Sequence, residues 1–196
     1  MASIVGATIY ANLPLKLIVP SDEPNIKELG DTKLIKIDEE TLDENEQIFA
    51  KDLFQNGSFL IWAVRNPECP FCHEEAKAFD LFKDKLNAAG IKFIAVVDKM
   101  NGIKKFKEFF NGDIYYDSQR NFYGSKNRWI YYWLRFFRIK SYFDALRYGK
   151  TVRQFEGKIA GGVYLINGNE LVFYHFEKSW VDATNKNDII DAIRNL

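Results

Sequence analysis

The order of two apolar runs and the stripe between them constrains this chain more than any other feature of its 196 residues. Phe59 to Val64 is apolar without interruption, the pattern of a strand buried on both faces, and Pro67 stops it. Cys69, Cys72, Ala76, Phe79, Phe82 and Leu86 then recur at helical spacing until Gly90 ends the stripe. Ile91 to Val97 reads as a second buried strand. Strand, helix and strand in that order form a βαβ unit, which makes the two strands parallel neighbours.

The flanks extend this unit into an α/β fold with a mixed sheet, parallel at its centre and closed by a hairpin near the C-terminal end. Gly161-Gly162 leads into Val163 to Ile166, and Asn167-Gly168 is a strong hairpin signal joining that run to Leu171 to Phe176. Ile103, Phe106, Phe109 and Phe110 suggest a helix before Asn111-Gly112, and Lys186 to Ile193 a last one. In the N-terminal third, Ala7 to Tyr10, Leu15 to Val19 and Leu34 to Ile37 read as short β-like runs. Residues 1–40 are therefore expected to form a β extension of a single domain covering 1–196. Asp43 to Phe54 reads as a short acidic helix.

Composition enters by what it excludes. A chain of this length buries roughly 70% of its unfolded surface, so no disulfide or metal staple is needed. Two cysteines make no disulfide framework. The first 15 residues carry no basic residue, unlike the start of a secretory signal peptide, and no apolar run approaches the roughly 18 residues of a membrane span. These features point to a cytoplasmic protein. Lysine plus arginine and aspartate plus glutamate balance at 27 each, which argues against a nucleic-acid partner. The balance is a cancellation between segments: residues 21–52 hold eleven acids against four bases, and residues 119–153 hold nine bases against one acid. Nine of the 31 aromatic residues also lie between Arg128 and Tyr148.

Cys69-Pro70-Phe71-Cys72 lies at the turn from a buried strand into a helix. There, unpaired backbone N–H groups and the helix dipole favour a thiolate, so Cys69 is the expected nucleophile. Pro70 suits the first helical position, where its missing N–H costs nothing. Cys72, three residues on, lies beside Cys69 and further in, as a resolving thiol would. Arg65, His73 and Lys77 would add positive potential, and Glu68 would oppose it. Other readings of the same residues compete. Cys69 to His73 spells C-x-x-C-H, the c-type haem attachment motif, which also needs export and a second axial ligand. A zinc site would need two more ligands where only His73 and His175 remain. Two small buried hydrophobes are the plainest alternative. No metal and no bound cofactor is expected, the redox centre being the cysteine pair itself.

The run Ala63-Val64-Arg65-Asn66-Pro67-Glu68-Cys69-Pro70-Phe71-Cys72-His73-Glu74-Glu75-Ala76 resembles the peroxiredoxin-like 2 family, as do Lys85-Leu86, Gly90 and Ala95-Val96-Val97 beyond it. This is a branch of the AhpC/TSA group that includes prostamide/prostaglandin F synthase. The likeness continues through Phe109 to Asp117 and Asn121 to Gly124, returns at Glu156-Gly157 and Gly161-Gly162-Val163, and covers roughly Thr41 to the C-terminus. It implies a thioredoxin-like core and a redox pair at Cys69 and Cys72. It also implies reductase or antioxidant activity fed by thioredoxin or a similar thiol reductant, with NADPH as the electron source. Two positions depart from the wider pattern. Asn66 stands where typical peroxiredoxins place a Thr or Ser that helps bind peroxide, which argues against an efficient hydrogen-peroxide peroxidase. Gly161-Gly162 stands where thioredoxins carry a cis-proline, which argues against a general disulfide reductase. Exposed glycine backbone there would pair with a substrate or leave room for a larger one.

Residues 127–148 read as a helical insertion within the basic stretch 119–153. They would form a lid making an apolar pocket for a small peroxide or lipid-like substrate, dock on the sheet with arginine stems pointing outward, or touch an anionic membrane. The expectation from all of this is a thiol oxidoreductase in which Cys69 attacks a peroxide, endoperoxide oxygen or disulfide and Cys72 resolves the intermediate. Arg65 would favour the thiolate or bind an anionic substrate. The rival is a thioredoxin-like binding module that uses the aromatic segment as its contact surface.

Overall fold

In the computed structural model, residues 2–13, 23–38, 41–124, 137, 139, 143, 159–177 and 183–196 are described. The central βαβ unit is present as read. Strand β3 (Ser58–Val64) pairs in parallel with β4 (Ile91–Val97), Ser58 opposite Ile91 through Val64 opposite Val97. Between them run helices α4 (Pro70–Asp80) and α5 (Lys83–Ala88). β4 pairs in parallel with β5 (Asp113–Tyr116), which helix α6 (Ile103–Lys107) precedes. On the other side of β3 lies the C-terminal hairpin of β6 (Gly162–Asn167) and β7 (Glu170–Phe176), antiparallel throughout. β1 (Lys33–Asp38) and β2 (Thr41–Phe49) complete one seven-stranded sheet of order β2-β1-β5-β4-β3-β6-β7.

β3 sits in the interior of the sheet because its residues have an apolar partner on both faces. Leu60, Trp62 and Val64 join Cys69, Cys72, Phe79, Phe106 and Ile189 on one side, the last from helix α7 (Lys186–Arg194). Phe59, Ile61 and Ala63 join Phe54, Val96, Tyr123 and Tyr164 on the other. Each large side chain so buried contributes roughly 1.5–3 kcal/mol. The Tyr123 hydroxyl, from a 3₁₀ turn at Asn121–Tyr123, lies 3.1 Å from the Val64 carbonyl oxygen and 3.0 Å from that of Val96. It ties together the carboxyl ends of the two central strands, where the cysteine loop begins.

The structure departs from the sequence reading in the N-terminal part and at one break. Ala7 to Tyr10 is not a strand: it lies in helix α1 (Ala2–Asn12). No neighbouring strand pairs with it among the described residues. A helix satisfies its own backbone groups, with the Thr8 hydroxyl donating to the Ile4 carbonyl at 2.9 Å and the Asn12 amide to Thr8 at 2.8 Å. The extension over residues 1–40 is therefore mixed, with α1, helix α2 (Ile26–Gly30) and β1, while Leu15 to Val19 lies outside the described residues. The acidic stretch from Asp43 is strand until Phe49, and only α3 (Ala50–Phe54) is helical. Pairing of Lys33 with Phe49 and Leu34 with Ile48 overrides the helix propensity of the glutamates. The cysteine helix is broken at Leu81-Phe82, where bonds of the tighter i→i−3 kind keep Phe82 inside and leave Leu81 in solvent. Of the basic insertion 119–153, only residues 119–124, 137, 139 and 143 are described, so the lid expected over 127–148 falls almost wholly outside them.

Candidate active site

Arg65 is the first residue beyond β3, and Asn66 turns the chain toward α4. The Asn66 side-chain oxygen accepts from the Glu68 N–H at 3.1 Å and its carbonyl from the Cys69 N–H at 2.9 Å. The position that carries a hydroxyl in typical peroxiredoxins is thus spent on building the turn. Cys69 is the residue that starts α4, its φ of −75° and ψ of 123° still extended, and Pro70 takes the first helical position as expected. Both cysteines are free thiols and both are buried, Cys69 at 2% and Cys72 at 1% exposure.

The Arg65 guanidinium organises the corner. Its Nη2 donates toward Cys69 Sγ at 3.6 Å and Cys72 Sγ at 4.0 Å, while its Nη1 is ion-paired with Glu177 Oε2 at 2.9 Å. The same Glu177 oxygen accepts from the Gly161 N–H at 3.0 Å, and the Glu177 N–H returns a bond to the Gly161 carbonyl at 3.1 Å. Both partners of the ion pair are 4% exposed. This geometry separates the two sulfurs. A hydrogen bond from the Cys72 thiol, aided by the Arg65 charge, overcomes burial and holds Cys69 well below the usual 9, at about 4. Donating that bond and being buried push the Cys72 thiol well above its usual range. One sulfur is thereby held as a thiolate and its neighbour as a proton-bearing thiol.

Other residues named from the sequence take different places. His73 Nε2 donates to the Pro67 carbonyl at 2.7 Å and its ring stacks on Phe109 with centroids 4.5 Å apart, so it buttresses the loop. Lys77 is exposed and pairs with Glu74 at 3.2 Å. Arg65 alone of the three expected cations reaches the sulfurs. Gly161 and Gly162 are buried rather than exposed, which corrects the expectation of open backbone at that point. A Cβ on Gly161 would run into the Ala63 carbonyl oxygen and the Glu177 carboxyl, and one on Gly162 would lie 2.9 Å from the His175 carbonyl oxygen. Gly161 serves the site by letting Glu177 approach, and Gly162 by letting the paired strand lie close. Among the described residues no group of three His, Cys, Asp or Glu side chains is arranged to hold a metal ion. No helix among them is long and apolar enough to cross a membrane.

Two carboxylates were missed from sequence. Glu177 follows β7 and carries no motif. Glu75 sits three residues beyond Cys72 on α4, where its Oε1 accepts from the Thr184 N–H at 3.3 Å and lies 3.8 Å from Lys186 Nζ. Burial and the Glu177 charge push its carboxyl up from 4.5 to about 7.

Residues 79–179 match the family described as AhpC/TSA antioxidant enzyme. The chain belongs to this family. Similar relatives are all peroxiredoxin-like 2A proteins, among them one from Xenopus tropicalis, 30% identical over 98% of this chain and 86% of that protein. Another, from Bos taurus, is 32% identical over 82% and 77% of the two chains. Among solved structures the AhpC/TSA chain is similar to a peroxiredoxin 6 of Arenicola marina, with TM-score 0.55 and 13% identity over 89% of this chain and 73% of that one. It is also similar to the peroxidoxin BcpB of Mycobacterium tuberculosis, with TM-score 0.52 and 14% identity over 86% and 97%. The fold is thioredoxin-like, with peroxiredoxins as structural neighbours, and the family is one of redox proteins. The span matched to the family begins beyond Cys72, so it rests on the scaffold around the cysteines and not on the cysteines themselves.

Proposed function

We propose that this chain is a thiol oxidoreductase that reduces a peroxide, a lipid endoperoxide or a disulfide through Cys69 and Cys72. The observation that carries the reading is that Arg65 Nη2 reaches both sulfurs, Cys69 Sγ at 3.6 Å and Cys72 Sγ at 4.0 Å, at the start of a helix. The Cys69 thiolate attacks the terminal oxygen of a hydroperoxide, the O–O bond breaks, and the leaving alkoxide takes a proton as alcohol while sulfur becomes a sulfenic acid. Cys72 then attacks that sulfur, water leaves, and an intramolecular disulfide closes. A disulfide substrate follows the same course through a mixed disulfide. Two electrons from thioredoxin or a similar dithiol, recharged by NADPH, reopen the pair. No further cofactor is required, and a thiol-reducing compartment, the cytoplasm, suits the cycle.

With Asn66 committed to the loop, an incoming oxygen meets the Arg65 cation and not a hydroxyl. This favours substrates that the guanidinium can polarise, lipid-like peroxides carrying a carboxylate included.

Thiolate absorbance and alkylation against pH test the reading. Between pH 6 and 8 the Cys69 alkylation rate is expected to stay nearly flat and to fall only toward about pH 4, whereas an ordinary thiol loses about tenfold per unit in that window. Turnover of a lipid hydroperoxide with thioredoxin and NADPH should vanish in Cys69→Ser. A tenfold fall in alkylation per pH unit from 8 to 6, or full turnover in Cys69→Ser, would overturn the assignment.

A further inference from the structure

Cys69, Cys72 and Glu75 follow one another at intervals of three along α4, and that spacing places them on one ridge of the helix. The redox cycle makes a demand on this ridge. Cys72 holds its proton at neutral pH, and when it attacks, that proton must leave a thiol that is 1% exposed.

The groups around the pair differ in their freedom to receive it. Arg65 is a permanent cation. Glu177 Oε2 already accepts from Arg65 and from the Gly161 N–H. His73 Nε2 is committed to the Pro67 carbonyl. Lys186 lies with its ammonium 3.7 Å from the Phe79 ring centre and 3.8 Å from Glu75. Glu75 is different. Its carboxyl contacts are the long bond from the Thr184 N–H and the distant Lys186 ammonium, and its side chain is 10% exposed, enough to exchange protons with water.

We infer that Glu75 is the proton-relay residue of the Cys69–Cys72 exchange, taking the Cys72 proton when the disulfide closes and returning it when the disulfide opens. The inference rests on the redox-pair reading above. In the closing step the Cys72–Cys69 S–S bond forms and the bond from Cys69 to its partner sulfur breaks. The partner leaves as a thiolate with the bonding electrons, and the Cys72 proton moves to the Glu75 carboxylate. Cys72 is oxidised and the partner sulfur reduced. Side chains three apart on a helix have Cβ atoms about 5–6 Å apart, a span that one bridging water or a rotamer change covers. Glu177, Lys186, Arg65 and the Thr184 amide face Glu75. Burial and the Glu177 carboxylate raise its pKa, while Lys186, the amide and Arg65 lower it, leaving it at about 7. A group so balanced both accepts and donates at neutral pH.

Reaction of the reduced protein with 5,5′-dithiobis(2-nitrobenzoate) resolves the steps, because attack by Cys69 releases one coloured thiolate and closure by Cys72 a second. In the wild type the second release should rise with pH through an inflection near 7. In Glu75→Gln the first release should keep its rate, and the second should slow at least about tenfold at neutral pH and lose the inflection. Glu75→Asp should restore the inflection. Lys186→Met should move it to higher pH without changing the first release. An unchanged second release in Glu75→Gln, or an inflection that stays in place in Lys186→Met, overturns the relay. A wild type that releases only one thiolate instead overturns the redox pair itself.

Discussion

The corner at Arg65 and the N-terminal helix α1 make opposite use of burial. At the corner a guanidinium and a carboxylate are each 4% exposed, beside two sulfurs. On α1, Ile4, Val5 and Ile9 are 64%, 58% and 63% exposed. Buried charge survives because every charge has a partner: Arg65 has Glu177 and the sulfurs, and Glu177 has Gly161 as well. The helix survives because its backbone is satisfied within itself, while at its end the Asn12 side chain donates to the Phe137 carbonyl at 3.0 Å and accepts from the Ile139 N–H at 3.2 Å. The corner is thus a product of tertiary pairing, and the helix largely of local bonding.

The contrast can be broken most sharply at Arg65. Arg65→Met leaves Glu177 buried without its counter-charge and should cost about 3–5 kcal/mol in urea unfolding, while raising the pH at which Cys69 becomes reactive. The double variant Arg65→Met with Glu177→Met should recover most of that stability but none of the low-pH reactivity. If the double variant were as unstable as the single, the ion pair would not be the source of the cost. Next in size is Gly161→Ala, whose methyl group meets the Ala63 carbonyl and Glu177 and should cost about 1–3 kcal/mol by thermal or urea unfolding. It should also shift the Cys69 alkylation profile toward higher pH, since Glu177 and Arg65 must move together. Smallest is Ile9→Lys on α1, expected to change stability by less than about 0.5 kcal/mol and the Cys69 profile not at all. A large loss there would mean that the two regions are coupled.

What could be read from the sequence follows the same division. The βαβ unit was legible because β3, α4 and β4 carry their pattern in continuous runs, and the cysteines because Pro70 and the strand-to-helix turn are local signals. β2 was misread because nothing within Asp43 to Phe49 reveals that Leu34 pairs with Ile48. α1 was misread because Ala7 to Tyr10 has β-like residues but no partner strand among the described residues. Arg65 was found by its distance from Cys69 along the chain. Glu177 was not, since 112 residues separate it from Arg65 and only the sheet brings them together.

The hairpin makes that meeting a matter of counting. Asn167 faces Glu170 and Ile166 faces Leu171, but Leu165 faces Phe173, and from there the register runs to Gly162 opposite Phe176. Val172 is the extra residue. Had the ladder kept its first step, Gly161 would face Phe176, and an aromatic ring would stand where the carboxylate now meets the guanidinium. One surplus residue near the hairpin's turn therefore decides whether a charge stands at its far end.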